Sequence, residues 1–403
     1  MYLNKSMKKY FFAFLIILLC LALISGCAKD QKGLIKLSSS SYPIFNDDLA
    51  FDKLEQGIEQ SLKYLHKIPS DRTFKFGQDS FNTLHIIRSL ELFLNFIKTR
   101  PPEKELNKFI KSKYAVYKSS GGKDTQKVLF TGYYEPLLYG SPHQTPEYKY
   151  PVYGPPSDLS IVDLSAFSSK LQGHKIIGRV EGKTFVPYHD REDIEKNNAL
   201  QGKAKELAWV KDPVALFFLQ IQGSGKIALT DGSFINVHYH SKNGRPYRSI
   251  GKLLIDEQKI PRQLMSMQKI KEYIKDHPEE TDQILNHNPS YIFFSIEKQG
   301  PLGAINVKLT PGRSIAVDRT IFPLPALGFI QAQKPLTGSD NKNKIIKWID
   351  FSRFILTQDT GGAIKGPARA DIFWGNGQYA EIAAGHMKHY GDLYVLVLKT
   401  ENN

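Results

Sequence analysis

The chain has 403 residues and a formal net charge of +14, with 54 lysines and arginines against 40 acidic residues. That length suits two domains, each with its own core. The only cysteines are Cys20 and Cys27. Cys20 lies in an N-terminal segment that we expect to be removed, and Cys27 alone cannot form an intrachain disulfide. A thiol nucleophile and a thiolate zinc site are likewise excluded for the mature chain.

The N-terminus has the features of a secretory signal. Three lysines among residues 5–9 precede an uncharged apolar run over residues 10–24, which is shorter than the roughly 20 residues that span a bilayer. Residues 24–27 (Ile-Ser-Gly-Cys) resemble a bacterial lipobox. We therefore expect residues 1–26 to be a lipoprotein signal peptide and Cys27 to carry the acyl chains that hold the protein on a membrane.

Removal of the three lysines with the signal leaves a charge of +14 − 3 = +11 over residues 27–403. Outside the cytoplasm, a basic surface favours anionic envelope material over nucleic acid as the partner. A soluble surface with excess lysine explains the charge equally well, so charge alone does not decide.

A polar tether is expected over residues 28–45, followed by three helices. Apolar residues at helical spacing from Phe51 to Leu65 predict the first helix. The second is predicted from Ser80 to about Ile97, with one apolar face, and Pro101-Pro102 ends it. The third is predicted from Glu103 to Lys113. The apolar face of the second helix is predicted to consist of Phe81, Leu84, Ile87 and Leu90.

Strands dominate the sequence pattern from Val128 onward, apart from a helical patch over residues 249–286 in which Ser266 is a candidate helix cap. The last hundred residues are predicted to be short β segments. Residues 140–160 are rich in Pro, Gly and Tyr and are predicted to leave one domain for another. The stretches predicted as strands are 128–136, 185–188, 214–223 and 234–240, and short β segments are expected after residue 294.

Three aspartates near the C-terminus stand in similar glycine and apolar settings: Asp318, Asp359 and Asp371. Each is expected near a strand end, partly shielded from water, where a carboxyl group can keep its proton at neutral pH. Any one of them could instead close an Asx-turn or form a strand-end ion pair. The neighbouring aromatic residues and glycines favour a carbohydrate-binding groove.

Five motifs in order resemble the membrane-bound lytic murein transglycosylase A family, over about residues 125–398. The C-terminal part resembles the module named for its three aspartates, the 3D module. The motifs are Thr131–Pro136, Gln222–Gly225, Asn243–Gly251, Asn288–Phe294 and Asp359–Gly366.

The resemblance implies a mainly β fold with N-terminal helices (α+β). A double-psi β-barrel would be assembled from residues 46–137 and 303–403, with the N-terminal helices beside it. A second, smaller β-domain would be inserted over residues 138–302. A long groove is expected between the two.

The resemblance also implies cleavage of the β-1,4 bond between N-acetylmuramic acid and N-acetylglucosamine in peptidoglycan, without water, leaving 1,6-anhydromuramic ends. Because the sugar's own 6-hydroxyl attacks, one carboxyl group suffices as acid and then as base, where ordinary glycosidases need two. The motif match assigns that role to Asp371. Asp359 and Asp318 are expected to support the site by holding barrel loops or by hydrogen bonding to the sugar. Lys365 would either orient Asp371 or bind an acetamido or lactyl oxygen.

Substrate-binding roles are expected on both walls of the groove. Glu135 is also a rival for a carboxylate role, although the family pattern does not require a second acid there. The expected substrate-binding residues are Thr131, Gly132, Tyr133, Tyr134, Glu135, Gln222, Ser224, Arg248, Gly361, Gly362 and Trp374.

The resulting hypothesis is a monomeric lytic transglycosylase that is lipid-anchored on the periplasmic face of the outer membrane and needs no metal or organic cofactor. Its partners would be peptidoglycan glycan strands, the membrane and wall-synthesis complexes, not nucleic acid. Two alternatives remain: a wall-binding lipoprotein without catalysis, and a hydrolytic glycosidase that uses Asp371 with Glu135 or Asp359. The paired histidines His238 and His240 fit surface residues better than a metal pair, since no third ligand is evident.

Overall fold

A computed structural model describes residues 33–123, 125–338 and 344–400. The predicted signal peptide, residues 1–26, and the predicted lipidation site Cys27 lie outside the described residues. The helices are α1 (Leu54–Leu65), α2 (Thr83–Ile97), α3 (Glu103–Lys113), α4 (Arg191–Glu195), α5 (Pro213–Gln222), α6 (Ile250–Asp256), α7 (Met267–Asp276), α8 (Thr281–Asn286) and α9 (Gln378–His386).

Strands form one large sheet and three smaller ones. They are β1 (Leu34–Lys36), β2 (Thr73–Phe76), β3 (Asp79–Asn82), β4 (Tyr114–Ser119), β5 (Val128–Tyr133), β6 (Leu137–Ser141), β7 (Tyr150–Tyr153), β8 (Ser160–Asp163), β9 (Lys175–Glu181), β10 (Thr184–Pro187), β11 (Glu206–Val210), β12 (Ser224–Leu229), β13 (Phe234–Lys242), β14 (Ile292–Glu297), β15 (Ser314–Ala316), β16 (Leu327–Thr337), β17 (Ile345–Asp359), β18 (Arg369–Phe373) and β19 (His389–Leu398).

The large sheet closes on itself. Its strand order is β1-β4-β19-β16-β17-β15-β18-β5, and β5 also pairs with β19, with Phe130 opposite His389. Strands β19, β16, β17, β15, β18 and β5 therefore form a closed six-stranded barrel, and β4 and β1 extend from β19. The predicted mixed fold, a double-psi β-barrel with N-terminal helices and a further β-sheet region, is confirmed.

Aromatic side chains link the barrel to the helices that cover it. Phe354 of β17 packs on Phe329 of β16 at 5.1 Å between ring centroids and on Phe93 of α2 at 5.0 Å. All three rings are fully buried. Truncating such a ring to alanine typically costs about 3–5 kcal/mol, so this cluster fixes α2 against the sheet.

Predictions for the three N-terminal helices are confirmed, with changes in where two begin. α3 has the predicted bounds, whereas α1 begins at Leu54. α2 begins at Thr83 because residues 79–82 pair with β2 in a hairpin, and the Asn82 side chain caps it by accepting from the backbone N–H of His85.

The apolar face predicted for the second helix is confirmed at Phe81 and Leu90, which are buried, but it is wrong at Leu84, which is 47 % exposed. Ile86 and Phe93 are buried instead. A helix rich in apolar residues on several sides gives no single face from spacing alone.

The tether prediction for residues 28–45 is wrong from Leu34 onward. Leu34 and Lys36 belong to β1, which pairs antiparallel with β4. Phe45 is buried, and the Asn107 side chain of α3 binds both its backbone N–H and its carbonyl, each at 2.8 Å. β1 is an edge strand of only three residues, of which Leu34 alone is buried. Its sequence therefore has too few apolar residues to be distinguished from a linker.

A second sheet has the order β14-β13-β12-β6-β11-β7, and β8, β9 and β10 form a small sheet of their own. The second sheet has its own apolar core, which includes Leu138, Ile227 and Phe294. Within the residues described, no helix combines the length and apolarity needed to span a membrane.

The strand predicted over residues 214–223 is wrong, because residues 213–222 form helix α5. The Asp212 side chain caps the helix by accepting from the backbone N–H groups of Val214 and Ala215. Pro213 occupies the first turn, and Gly223 ends the helix with φ 78°. Proline and glycine are the residues preferred at these two positions of a helix. A continuous apolar run cannot by itself distinguish a buried helix from a buried strand.

The C-terminal prediction of short β segments was also incomplete. Strands β16 and β17 are long, with 11 and 15 residues, and α9 was missed. The cap predicted at Ser266 is confirmed, since its hydroxyl accepts from the backbone N–H of Lys269 at the start of α7.

Candidate active site

Strand register brings two of the three aspartates to one row of the barrel. Ala316 of β15 lies between Asp371 of β18 and Asp359 of β17. Thr131 of β5 lies opposite Asp371 on the other side of β18. Because directly paired residues of adjacent strands share a face, the two carboxyl groups lie on the same face of the barrel.

Asp371 is partly accessible to solvent and accepts a 2.8 Å hydrogen bond at Oδ1 from the Thr131 hydroxyl. Burial raises the pKa of Asp371 to about 6, against the opposing effects of the Thr131 hydrogen bond and the positive charge of Arg369, and the nearby Asp359 adds to the rise. Among the described residues, Thr131 is its only hydrogen-bond donor, so Oδ2 is available to a ligand. Asp371 can therefore hold a proton near neutral pH and present it.

Asp359 has both oxygens engaged by protein. The Tyr133 hydroxyl donates to Oδ2 at 2.7 Å, and the backbone N–H groups of Ala304 and Thr360 donate to Oδ1 at 3.0 and 2.8 Å. Burial raises the pKa of Asp359 to about 6, although these three hydrogen bonds act to lower it. The arrangement ties β17 to β5 and to the loop at Ala304.

Asp318 holds a loop. Its side chain is 6 % exposed and accepts from the backbone N–H and hydroxyl of Thr320 and from the backbone N–H of Gly366. Burial acts to raise the pKa of Asp318, but these hydrogen bonds and the charge of Lys365 outweigh it and lower that pKa. Lys365 is exposed, and its positive charge helps to lower the pKa of Asp318.

The predicted binding motif at residues 131–135 divides between two faces of β5. Thr131 and Tyr133 contact the aspartates. Gly132 points to the other face, where an added Cβ would lie 2.6 Å from Nε1 of Trp374. Trp374 is only 8 % exposed and Tyr134 only 5 %, so both pack in the interior, away from the row of aspartates.

Glu135 lies at the end of this motif and is buried. Its Oε2 accepts from Nδ2 of Asn376 at 3.2 Å, and its backbone N–H donates to the carbonyl of Gly375. Glu135 therefore joins the segment after β5 to the segment after β18.

The three residues expected to reach from the second sheet lie in different settings. Oε1 of Gln222 accepts from the backbone N–H of Tyr134. Ser224 is buried at the start of β12, opposite His238. Arg248 is exposed, and its backbone N–H donates to Asn288. Of these, Gln222 is directly connected to the segment that carries Thr131 and Tyr133.

Gly361 and Gly362 belong to the loop after Asp359. An added Cβ at Gly361 would lie 2.7 Å from the Ile364 side chain, whereas Gly362 faces open space and is exposed. Only Gly361 therefore needs to be glycine for packing.

Sequence reasoning missed Arg369 and Ala304. Arg369 precedes Asp371 by two residues on one strand, so the period-2 alternation of a strand could have indicated that both face the same side. Ala304 contributes only a backbone N–H, which leaves no signal in the sequence.

Among the described residues, one group of three side chains has the spacing of metal ligands: His277, Glu279 and Glu280. Glu280 already pairs with Lys259 at 2.7 Å and accepts from the Tyr273 hydroxyl. Surface ion pairing accounts for this group. The group does not include the histidine pair His238 and His240 considered from the sequence.

Two protein-family models match separate parts of the chain. The family model described as the MltA specific insert domain matches residues 129–295. The model described as the 3D domain matches residues 313–397.

A curated relative, the membrane-bound lytic murein transglycosylase A of Vibrio cholerae, is 32% identical over 285 residues, which cover 69% of this chain and 68% of the relative. Among solved structures, a membrane-bound lytic murein transglycosylase from Agrobacterium tumefaciens has a TM-score of 0.72 and 29% identity, covering 91% of this chain and 98% of that one. The structure of Escherichia coli MltA with bound chitohexaose has a TM-score of 0.68 and 25% identity, covering 92% and 97%.

Proposed function

Since this chain belongs to the membrane-bound lytic murein transglycosylase A family, we propose that it is a peptidoglycan lytic transglycosylase. It cleaves the β-1,4 bond between N-acetylmuramic acid and N-acetylglucosamine and leaves a 1,6-anhydromuramic end. The chitohexaose bound in the similar Escherichia coli structure supports a glycan as the ligand.

The observation that carries this proposal is the setting of Asp371. Its pKa is raised to about 6 by burial, and the Thr131 hydrogen bond at Oδ1 fixes the carboxyl group while Oδ2 has no donor among the described residues. A general acid works best when its pKa lies near the working pH.

In the proposed reaction, protonated Asp371 donates its proton to the glycosidic oxygen as the bond to C1 of the muramic acid breaks. The N-acetylglucosamine side leaves as an alcohol. The resulting carboxylate then accepts the proton of the muramic acid 6-hydroxyl as its oxygen bonds to C1. The proton lost in the first step is regained in the second, so no water is consumed.

The surroundings of the other carboxyl groups support a single working acid. A hydrolase needs a second carboxylate to activate water or to attack C1. Both oxygens of Asp359 are engaged by Tyr133 and two backbone N–H groups, and Glu135 is buried against Asn376. Asp359 and Asp318 are proposed to support the loops around Asp371, and the charge of Lys365 favours the ionised form of Asp318.

Substrate contacts are proposed to come from Thr131 and Tyr133 beside the carboxyl groups and from exposed Gly362. Gln222 and Arg248 would reach from the inserted domain, residues 138–302, whereas Ser224 is buried there. The barrel domain would be formed by residues 46–137 and 303–403. The roles expected for Gly132, Tyr134, Glu135, Gly361 and Trp374 are proposed to be packing beneath the site.

The location follows from the N-terminal sequence. Cleavage after residue 26 and lipidation of Cys27 would anchor the protein on the periplasmic face of the outer membrane, because Ala28 is not the aspartate that commonly marks inner-membrane retention. The protein would act there as a monomer, close to wall-synthesis complexes.

Digestion of purified peptidoglycan with the protein and with its Asp371→Asn variant tests the proposal. Mass spectrometry should find fragments with anhydro ends from the wild type and none from the variant. Fragments with a water-added end would identify a hydrolase, and the absence of fragments from the wild type would favour a wall-binding protein.

A further inference from the structure

Arg369 is a cation placed beside the proposed acid. It begins β18 two residues before Asp371, so both side chains point to the same face. Its Nη2 donates to the Thr131 hydroxyl at 3.4 Å, and that hydroxyl donates to Asp371 at 2.8 Å. Arg369, Thr131 and Asp371 therefore form one chain of hydrogen bonds.

The guanidinium of Arg369 is not neutralised within the part of the chain that the structure describes. No carboxylate there lies within ion-pair distance of it, and its buried Nε atom has no hydrogen-bond acceptor. The nearby Asp359 is already engaged by Tyr133 and backbone donors. A partly buried guanidinium with free donors is suited to bind a planar anion.

The charge of Arg369 also opposes the role of Asp371. The groups that face Asp371 are Arg369, Thr131, Asp359 and Tyr133, and among them Arg369 and Thr131 lower its pKa. A fixed cation beside a group that must hold a proton is unfavourable unless a further anion offsets it. An anion bound to Arg369 would relieve this effect when substrate is present.

The substrate of the proposed reaction supplies such an anion. Muramic acid carries a lactyl ether on C3 of the ring whose C1 bond is cleaved, so its carboxyl group lies one ring-width from the scissile oxygen. Residues two apart on a strand are separated by about 7 Å, which is a comparable span. The lactyl group is a free carboxylate only when no stem peptide is attached, because the peptide converts it to an amide.

Building on the proposed function, we propose that Arg369 binds the lactyl carboxylate of a peptide-free muramoyl residue at the cleavage site. The enzyme therefore prefers glycan strands from which the stem peptides have been removed. Lys365, which the sequence suggested for a lactyl oxygen, is exposed, and its charge acts on Asp318.

The test compares two forms of one substrate. Peptide-free glycan strands are used with their lactyl carboxylates free or converted to methylamides, and kcat/KM for the release of anhydro ends is measured. The wild type should cleave the acid form at least about tenfold more efficiently, as expected for one charge-assisted hydrogen bond. Arg369→Gln should cleave both forms with equal efficiency, whereas the exposed-site control Arg262→Gln should keep the wild-type preference.

Equal cleavage of both forms by the wild type, or an unchanged preference in Arg369→Gln, would overturn the inference while leaving the proposed function intact. Failure of the wild type to cleave either form would overturn the proposed function itself, and the inference with it. If Arg369→Gln does not fold, the inference is tested by calorimetric measurement of fragment binding to the Asp371→Asn variant. That variant should bind acid-form fragments at least about tenfold more tightly than amide-form fragments, and equal binding would refute the inference.

Discussion

Replacing Asp371 with Asn should make the protein more stable at neutral pH while abolishing its activity. Burial raises the pKa of Asp371 from 3.8 to about 6. Because a tenfold change in proton binding corresponds to about 1.4 kcal/mol, holding this side chain ionised in the folded state costs at most about 3 kcal/mol. Asparagine has nearly the same shape, can still accept from Thr131 and has no charge to bury.

The pH dependence of this difference has a definite sign. Below pH 3.8 the carboxyl group is protonated in both the folded and the unfolded chain, so it contributes no difference. Between pH 3.8 and about 6 the unfolded chain loses the proton first, so the wild type loses stability as pH rises. Above about pH 6 the cost is constant.

Thermal unfolding of the two proteins from pH 4 to pH 8 measures this effect. The melting temperature of Asp371→Asn should exceed that of the wild type by up to about 4 °C at pH 7.5, from the usual unfolding entropy of a chain of this size. The difference should vanish near pH 4. The exposed Asp71→Asn serves as the control for loss of one charge, and a variant no more stable than wild type at pH 7.5 would refute the argument.

Three further substitutions test the site. Thr131→Val removes the hydroxyl that lowers the pKa of Asp371, so the alkaline limb of kcat/KM should move to higher pH as kcat falls; an unmoved limb would argue against the contact. Asp318→Asn should cost about 1–3 kcal/mol at pH 7, measured by urea unfolding. Because the folded pKa of Asp318 is lowered, the stability that its carboxylate contributes is present above pH 3.8 and is lost as pH falls through the folded pKa. The unfolding free energies of the wild type and Asp318→Asn should therefore converge in acid, and a difference that does not change with pH would contradict this explanation. Tyr133→Phe leaves Asp359 with two backbone donors and should destabilise the protein by about 1 kcal/mol in urea unfolding, whereas unchanged stability would contradict a supporting contact between Tyr133 and Asp359.

Local signals in the sequence predicted some elements well. Glu103 to Lys113 has acidic residues in its first turn, basic residues in its last and Pro102 before it, and α3 has those bounds. Asp212, Pro213 and Gly223 gave equally good start and stop signals for α5. The apolar run between them nevertheless predicts a strand by composition alone, because a continuous apolar run has no periodicity that separates a buried helix from a buried strand.

The candidate site was predictable as a set of residues but not as a geometry. Asp371, Asp359 and Thr131 come together through the pairing of four strands, of which β5 lies about 180 residues before the other three. Strand alternation could have separated Thr131 and Tyr133 from Gly132 and would have indicated Arg369. The donor at Ala304 is a backbone group, which no residue type reveals.

The central claim is that Asp371 alone transfers the proton and that no water is added. Digestion of peptidoglycan in water enriched in oxygen-18, followed by mass spectrometry of the new muramic ends, tests this most directly. The account predicts anhydro ends that carry no label. Labelled reducing ends formed by the wild type would contradict it.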